Sequence, residues 1–122
     1  MYTSMLVLLL HVTTPTASTE LLAGSYHALP GELTEVVLYY PGGEVLQRGY
    51  MLDGEKTGEW ITYAINGDVT AKAYYEAGEK TGVWKVFDEE GNIAYKIKYR
   101  DGKKLWARSF DDDGNQTAMT YK

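Results

Sequence analysis

The sequence predicts an all-β fold, an elongated antiparallel β-hairpin repeat meander with about four units in one open sheet. Three observations indicate this fold. Tyr39, Tyr63, Phe87 and Phe110 are separated by 24, 24 and 23 residues, polar and apolar residues alternate between them, and glycine recurs at fixed places. Alternation is typical of strands, and a constant period of this length is typical of a repeat architecture.

The repeats define the organisation of the chain. The N-terminal segment of residues 19–42 contains a degenerate hairpin that begins at about residue 30, and the clearer repeats cover residues 43–122. Their units are residues 43–66, 67–90 and 91–113, followed by a partial unit at 114–122. The positions that the units share are mostly glycine and aromatic residues, which favour turns and strands respectively. The predicted structural positions are Gly54, Gly58, Trp60, Tyr63, Gly67, Gly78, Gly82, Trp84, Phe87, Gly91, Gly102, Phe110 and Gly114.

Each unit is predicted to contain two strands and two turns. The pentapeptide Gly-Glu-Lys-Thr-Gly, at 54–58 and 78–82, predicts the loop inside a unit because two glycines make the backbone permissive. Asn66-Gly67 is typical of a two-residue hairpin turn between units. Glu89-Glu90-Gly91 and Asp112-Asp113-Gly114 instead favour a type I turn closed by a glycine bulge.

Aromatic residues are predicted on both faces of the second strand of each unit. Trp84 and Phe87 are three residues apart, so a regular strand points them in opposite directions. We expect Trp60 to align with Trp84 on one face, and Tyr63, Phe87 and Phe110 to align on the other. These ladders either hold the sheet together or form an exposed stripe that binds a partner.

Residues 1–18 differ from the rest of the chain. An apolar run, Met5 to Leu10, precedes small residues and proline, and this order predicts a signal peptide and a secreted, periplasmic or cell-envelope protein. The segment departs from that pattern because its start carries no basic residue. The alternative is a buried first strand. The run is too short to span a membrane as a helix.

The spacing of aromatic and glycine residues also resembles a known family. The pattern Tyr-x-x-x-Gly-x-x-x-Gly-x-Trp-x-x-Tyr/Phe-x-x-x-Gly, from Tyr50 to Gly67 and from Tyr74 to Gly91, resembles the MORN repeat variant of bacterial proteins that are often labelled antitoxin components. The resemblance implies a β-hairpin scaffold that interacts with proteins or, in some relatives, membranes, and it implies no catalytic residues. The third unit departs from the pattern, since it is one residue shorter and its Trp106 is shifted.

Composition argues against several functional classes. The chain has no cysteine and a net charge of −5, so disulfides and thiolate chemistry are excluded and nucleic acid is not an expected partner. No metal site or cofactor is predicted, and Asp111–Asn115 is predicted to be a solvated turn because it lacks the full ligand pattern of a calcium loop. His27, near Ser25, lacks a nucleophile elbow, so we predict that the protein is not an enzyme.

A basic cluster between Lys96 and Arg108 is the strongest candidate for a binding surface. The predicted binding residues are Tyr74, Tyr99, Trp106, Lys96, Lys98, Arg100 and Lys104. The first hypothesis is a scaffold that binds a partner protein through an aromatic sheet face or a sheet edge. The alternative is a surface glycan or lipid-headgroup binder that uses the aromatic residues and the basic cluster. Lysine on a strand face also gives solubility and discourages edge pairing without any ligand. The partner and the oligomeric state are left open.

Overall fold

A computed structural model describes residues 7–12 and 30–121, and in these residues nine strands form one antiparallel sheet. The strands lie side by side in chain order, which confirms the predicted all-β hairpin meander. They are β1 (Val7–Val12), β2 (Leu33–Tyr39), β3 (Val45–Leu52), β4 (Glu55–Tyr63), β5 (Val69–Glu76), β6 (Glu79–Phe87), β7 (Ile93–Arg100), β8 (Lys103–Phe110) and β9 (Gln116–Tyr121).

The described part of the sheet is a single layer. Among residues 30–121, the few buried residues lie on β2, β3 and β4. Along the rest of the sheet most strand residues are partly exposed, and this holds for both faces. The buried residues are Thr34, Val36, Val37, Gly49 and Trp60. A sheet of this kind is stabilised mainly by contacts between neighbouring strands, as in other repeat proteins.

The tight turn inside each unit contains two residues, both with positive φ. The first turn is Asp53-Gly54, with φ of 50° and 81°, and Leu52 pairs directly with Glu55. This is the backbone of a type I′ turn. The equivalent turns are Ala77-Gly78 and Asp101-Gly102. The prediction that Gly-Glu-Lys-Thr-Gly forms the loop is therefore wrong, since strands β4 and β6 begin immediately after the first glycine.

The second glycine of the pentapeptide forms a bulge within the strand. Gly58 has a φ of 68°, and the pairing shifts between Arg48–Ile61 and Tyr50–Thr57. The extra residues on β4 direct Trp60 over the backbone of β3, where its Nε1 donates a hydrogen bond to the carbonyl of Tyr50 at 3.0 Å. Trp84 makes the same bond to Tyr74 at 3.1 Å. The repeated glycine thus places the repeated tryptophan.

The turns between units are all of one type. Gly67 donates its N–H to the carbonyl of Ala64 at 2.9 Å, and Ala64 donates to Asp68 at 2.8 Å. Of the turn residues only Gly67 has positive φ, so this is a type I turn with a glycine bulge, as it is at Gly91 and Gly114. The prediction of a two-residue turn at Asn66-Gly67 is wrong. The turn contains one more residue, and Tyr63 pairs with Val69 where the register shifts.

The degenerate upstream hairpin follows the same rules. Tyr40 and Gly43 close a turn of the same type, and Tyr39 pairs with Val45 across a bulge as Tyr63 does with Val69. Upstream of it, β1 pairs with β2 from Val7 opposite Tyr39 to Val12 opposite Thr34. The predicted signal peptide contains β1, while residues 1–6 and 13–18 lie outside the described residues. Its cleavage stays a prediction, and cleavage would leave β2 without this neighbour.

Candidate binding faces of the sheet

Strand pairing assigns side chains to two faces, because directly paired residues point to the same side of a sheet. We call the side that carries Trp60, Tyr75, Trp84 and Tyr99 the aromatic face. The opposite side, which carries Lys72, Lys85, Lys96 and Arg108, is the basic face. Trp84 pairs with Ile97 and the adjacent Lys85 pairs with Lys96, so the two faces alternate residue by residue along the same strands.

A ladder of four rings crosses β4 to β7 on the aromatic face. Ring centroids are 6.4 Å apart for Trp60 and Tyr75, 5.3 Å for Tyr75 and Trp84, and 4.7 Å for Trp84 and Tyr99. Trp60 and Trp84 share this face as predicted, but Tyr75 lies between them, so the ladder alternates tryptophan and tyrosine. The spacings fall in the range of favourable aromatic pairs.

Two lysines from the repeated pentapeptide cover the ladder. Lys56 Nζ lies 4.6 Å from the Trp60 centroid and 4.9 Å from that of Tyr75, and Lys80 Nζ lies 5.1 Å and 5.2 Å from Trp84 and Tyr99. These are cation–π distances. Burial, and then the nearby Lys80 charge, lowers the pKa of Lys56. The ladder is therefore partly shielded by side chains of its own repeat.

The other part of the aromatic face is an uncharged row of mostly small side chains. Each residue of the row pairs directly with the next on the neighbouring strand, from β4 to β9. The row consists of Thr62, Ala71, Val86, Tyr95, Ser109 and Ala118. Tyr95 is its one large exposed side chain, with 51 % of its surface accessible. This row forms a flat, uncharged strip beside the ladder.

The basic face carries a row of four cationic side chains on four consecutive strands. Lys72 pairs with Lys85, Lys85 with Lys96, and Lys96 with Arg108. Neighbouring strands are about 4.8 Å apart, and like charges directly opposite each other destabilise a sheet. The row therefore costs the fold stability and concentrates positive charge in a protein whose net charge is −5.

Aromatic side chains flank the basic row on both sides. Lys96 Nζ lies 5.4 Å from the Phe110 centroid, and Arg108 Cζ lies 4.3 Å from that of Trp106. Phe87 lines one shallow cleft with Lys72, as Phe110 does with Lys96. The predicted second ladder, of Tyr63, Phe87 and Phe110, thus lies on the basic face, opposite Trp60 and Trp84.

Tyr74 also lies on the basic face, at the edge of the row. It pairs with Glu59, and its hydroxyl donates a hydrogen bond of 2.8 Å to the Glu59 carboxylate. That hydrogen bond, then burial and the Glu59 charge, raises the pKa of Tyr74. The Glu59 carboxylate is therefore already hydrogen-bonded within the sheet.

A comparison with known families identifies the repeat. Residues 80–101 match the MORN repeat variant family. This segment is a MORN repeat variant. It runs from β6 through β7 to the tight turn after it, and it confirms the resemblance predicted from the glycine and aromatic spacing. MORN repeats are generally non-enzymatic modules with binding or scaffold roles. A search of curated proteins found no match to the chain, and nothing supports the antitoxin label.

The predicted binding residues of the chain divide between the two faces. Lys96, Lys98 and Trp106 lie together on the basic face, with Lys98 paired to Trp106, and Tyr74 lies on the same face two strands away. Tyr99 lies on the aromatic face against Trp84. Arg100 and Lys104 are exposed beside the tight turn. The seven residues therefore do not form one cluster.

The shift of Trp106 has a simple structural consequence. In the third repeat unit Ala107 occupies the place of Trp84. It pairs with Ile97 on β7, as Trp84 does from the other side of that strand, so alanine stands where a tryptophan would extend the ladder. Trp106 precedes it by one residue and therefore faces the lysines. The ladder ends at Tyr99, and the indole is added to the basic face instead.

Sequence reasoning missed Lys72 and Lys85, and it included Arg108 in the 96–108 cluster without predicting that it pairs with Lys96. The repeat period contains the signal, because Lys72 and Lys96 occupy the same place in successive units, and so do Lys85 and Arg108. Only the register across β5 to β8 shows that all four meet in one row.

Other predicted features have a structural role or lie outside the described part. Asp111 accepts hydrogen bonds from the backbone N–H groups of Asp113 and Asn115, at 3.0 and 2.8 Å, which confirms the predicted turn. No cluster of metal-ligating side chains occurs among residues 7–12 and 30–121. The same residues contain no helix able to cross a membrane. His27 and Ser25 lie outside the described residues.

Proposed function

We propose that this protein is a non-enzymatic scaffold that binds a partner protein through its aromatic face. The observation that carries the proposal is the uncharged row on that face, which crosses six strands of a single-layer sheet. Charged residues are depleted and tyrosine is enriched at the centres of protein interfaces. A row with these properties is therefore suited to burial under a partner.

Small side chains and one projecting ring support close docking. Ala71, Ser109 and Ala118 lift little above the backbone, so a partner can approach the sheet closely. Tyr95 projects from the middle of the row and is half exposed. Tyrosine anchors of this kind supply much of the binding energy at protein interfaces.

The available area is sufficient for a specific complex. Six strands span five spacings of about 4.8 Å, or about 24 Å, and strands of eight residues are about 27 Å long. The product, roughly 650 Å², is the area of the whole aromatic face, the ladder and its lysines included, and is near the ~800 Å² that each partner contributes to an interface of standard size. The ring ladder beside the row stiffens the same strands, so the surface is formed before binding.

The edge of the sheet offers a second route to a partner. Strand β9 has a single neighbour, β8, within the described residues, and its six residues carry no charge. Uncharged edge strands accept an added strand more readily than charged ones. The face is the better candidate because it offers a larger area and a side-chain anchor.

Photo-crosslinking from single positions tests the proposal. A photoreactive phenylalanine analogue replaces Tyr95 on the face, Gln116 on the edge, or Ile65, which is 62 % exposed in a turn between units. We expect Tyr95 to crosslink to one protein from the source cells, and Ile65 to crosslink to none. Tyr95→Glu should abolish co-purification of that protein, and Ile65→Glu should not. Crosslinks from Gln116 alone would show that the partner binds the sheet edge and not the aromatic face. Equal crosslinks from all three positions would refute both binding surfaces.

Export to the cell envelope or medium is part of the same proposal. The apolar run at 5–10 and the small residues after it support it. Mass spectrometry of the mature protein tests it, since export predicts a new N-terminus near residue 19, and a chain that retains β1 would contradict it.

A further inference from the structure

We infer that the basic face is a binding site for a linear acidic polysaccharide, which lies across the strands along the row of Lys72, Lys85, Lys96 and Arg108. The site is on the opposite side of the sheet from the surface proposed for a partner protein. The two proposals therefore use different side chains and can fail independently.

The first argument is that the fold does not need this row. Each member faces another cation on the next strand, an arrangement that lowers stability. Among the described residues, none of the four forms an ion pair with a carboxylate. Natural sequences place unfavourable neighbours of this kind mainly at functional sites. A bound chain of negative charges would convert four repulsive neighbours into four ion pairs.

Arg108 is held in place without a counterion. Its guanidinium lies on the Trp106 ring, with Cζ 4.3 Å from the centroid. The Nε atom is buried and has no hydrogen-bond partner within the described residues. Packing therefore orients the guanidinium, and its charge is available to an external anion. Guanidinium groups bind carboxylate and sulfate-like anions with a fixed geometry.

The shape of the site favours a polysaccharide over a small anion. The row is one residue wide and presents one cation every ~4.8 Å across the sheet. An extended pyranose chain advances by a similar distance per ring, so each acidic sugar meets one strand. On the side away from the acidic turns, Trp106 can stack on the apolar face of a sugar ring.

Acidic turns disfavour a flat anionic surface at the same site. Glu89 and Glu90 line the cleft that contains Lys72, and Asp112 and Asp113 line the cleft that contains Lys96. An anionic bilayer would bring its charge against these carboxylates, whereas a chain confined to the row does not reach beyond it. Duplex nucleic acid is a poorer match, because each of its strands carries one phosphate per ~3.4 Å of helix axis.

Calorimetric titration of the full chain with polygalacturonate, which has one carboxylate per ring, tests the inference. The key variant is Lys72→Gln, Lys85→Gln, Lys96→Gln. The matched control is Lys56→Gln, Lys80→Gln, Lys103→Gln, which removes the same charge from two positions on the aromatic face and one exposed position at a tight turn. We expect the row variant to bind at least about tenfold more weakly and the control to change less than about twofold, since exposed ion pairs contribute modestly one by one.

Two further probes make the outcome decisive. A neutral β-linked glucan should not bind, and vesicles of equal parts phosphatidylserine and phosphatidylcholine should bind more weakly than polygalacturonate. Equal weakening in the two triple variants, tighter binding to vesicles, or no binding of polygalacturonate at low salt would overturn the inference. Because glutamine keeps part of the aliphatic stem and remains polar, circular dichroism should show both variants folded. The single change Lys85→Gln, with a smaller loss of the same sign, serves if the triple variant does not fold.

Discussion

The two faces of this sheet are built from alternate residues of the same strands, yet their chemistry is opposite. On the aromatic face neighbouring side chains attract one another, as Trp84 does with Tyr75 and Tyr99. On the basic face neighbouring side chains repel, as Lys85 does with Lys72 and Lys96. Successive side chains of a strand point to opposite faces, so adjacent residues such as Trp84 and Lys85 belong to the two different arrangements.

The difference teaches how a single-layer sheet divides its tasks. Stability comes from rings that lie on neighbouring rings and on the backbone of the preceding strand. The other face is then free to carry side chains that do not help folding. Without a second layer in the described part of the sheet, neither face is hidden, so the surface that destabilises the fold is also available to a ligand. The following changes test this division, beginning with the largest effect.

Loss of Trp60 should affect stability far more than loss of Trp106. Trp60 is only 2 % exposed, and its indole N–H is bonded to the Tyr50 carbonyl. We expect Trp60→Ala to lower the free energy of unfolding by about 3–5 kcal/mol. Trp106→Ala, on the partly exposed basic face, should cost at most about 2 kcal/mol. Urea denaturation followed by circular dichroism measures both, and equal losses would contradict the division between faces.

A methyl group at Gly49 should disturb the aromatic face next most strongly. A Cβ atom there would lie 2.0 Å from the Trp60 ring. We expect Gly49→Ala to cost about 1–3 kcal/mol, because the indole is displaced from the backbone. Ala73 stands at the same place in the next unit, opposite the less buried Trp84, and Ala73→Gly should cost only ~0.5–1 kcal/mol. A Gly49→Ala protein with unchanged urea midpoint would show that Trp60 is not fixed by this contact.

Removing one charge from the basic row should stabilise the protein. Lys85 faces a lysine on each neighbouring strand, so we expect Lys85→Gln to raise the free energy of unfolding by up to ~1 kcal/mol at low salt. The gain should shrink as added salt screens the repulsion. Lys103→Gln, at an exposed position by the turn, is the control and should change little at any salt concentration. A loss of stability in Lys85→Gln would mean that its aliphatic stem matters more than its charge.

Much of this architecture could be predicted from the sequence, because turns and periods are local. Gly54, Gly67 and the aromatic spacing indicate hairpins of the right length. The type I turns with a glycine bulge at Gly91 and Gly114 were predicted correctly. The turns inside the units were not, since Gly58 is equally compatible with a loop and with a bulge inside a strand. The bulges set the register, and the register decides which lysines meet. The row from Lys72 to Arg108 is therefore a property of four paired strands that no single segment reveals, whereas the cluster of Lys96 and Lys98 is visible along the chain.

The smallest effect concerns the pH dependence of the basic face. The hydrogen bond to Glu59, burial and the Glu59 charge raise the pKa of Tyr74 above the unfolded value of about 10. A raised pKa means that the folded state favours the protonated phenol, so this contribution is complete below the unfolded pKa and is lost as pH rises through the folded one. Tyr74→Phe should therefore remove part of the decline in stability above about pH 10. Burial and Tyr99 raise the pKa of Tyr75 on the aromatic face in the same direction, so Tyr74→Phe should leave the rest of that decline. Denaturation midpoints measured from neutral pH to beyond pH 10 should show this partial change, and a Tyr74→Phe profile identical to that of the parent would assign the whole decline to the aromatic face.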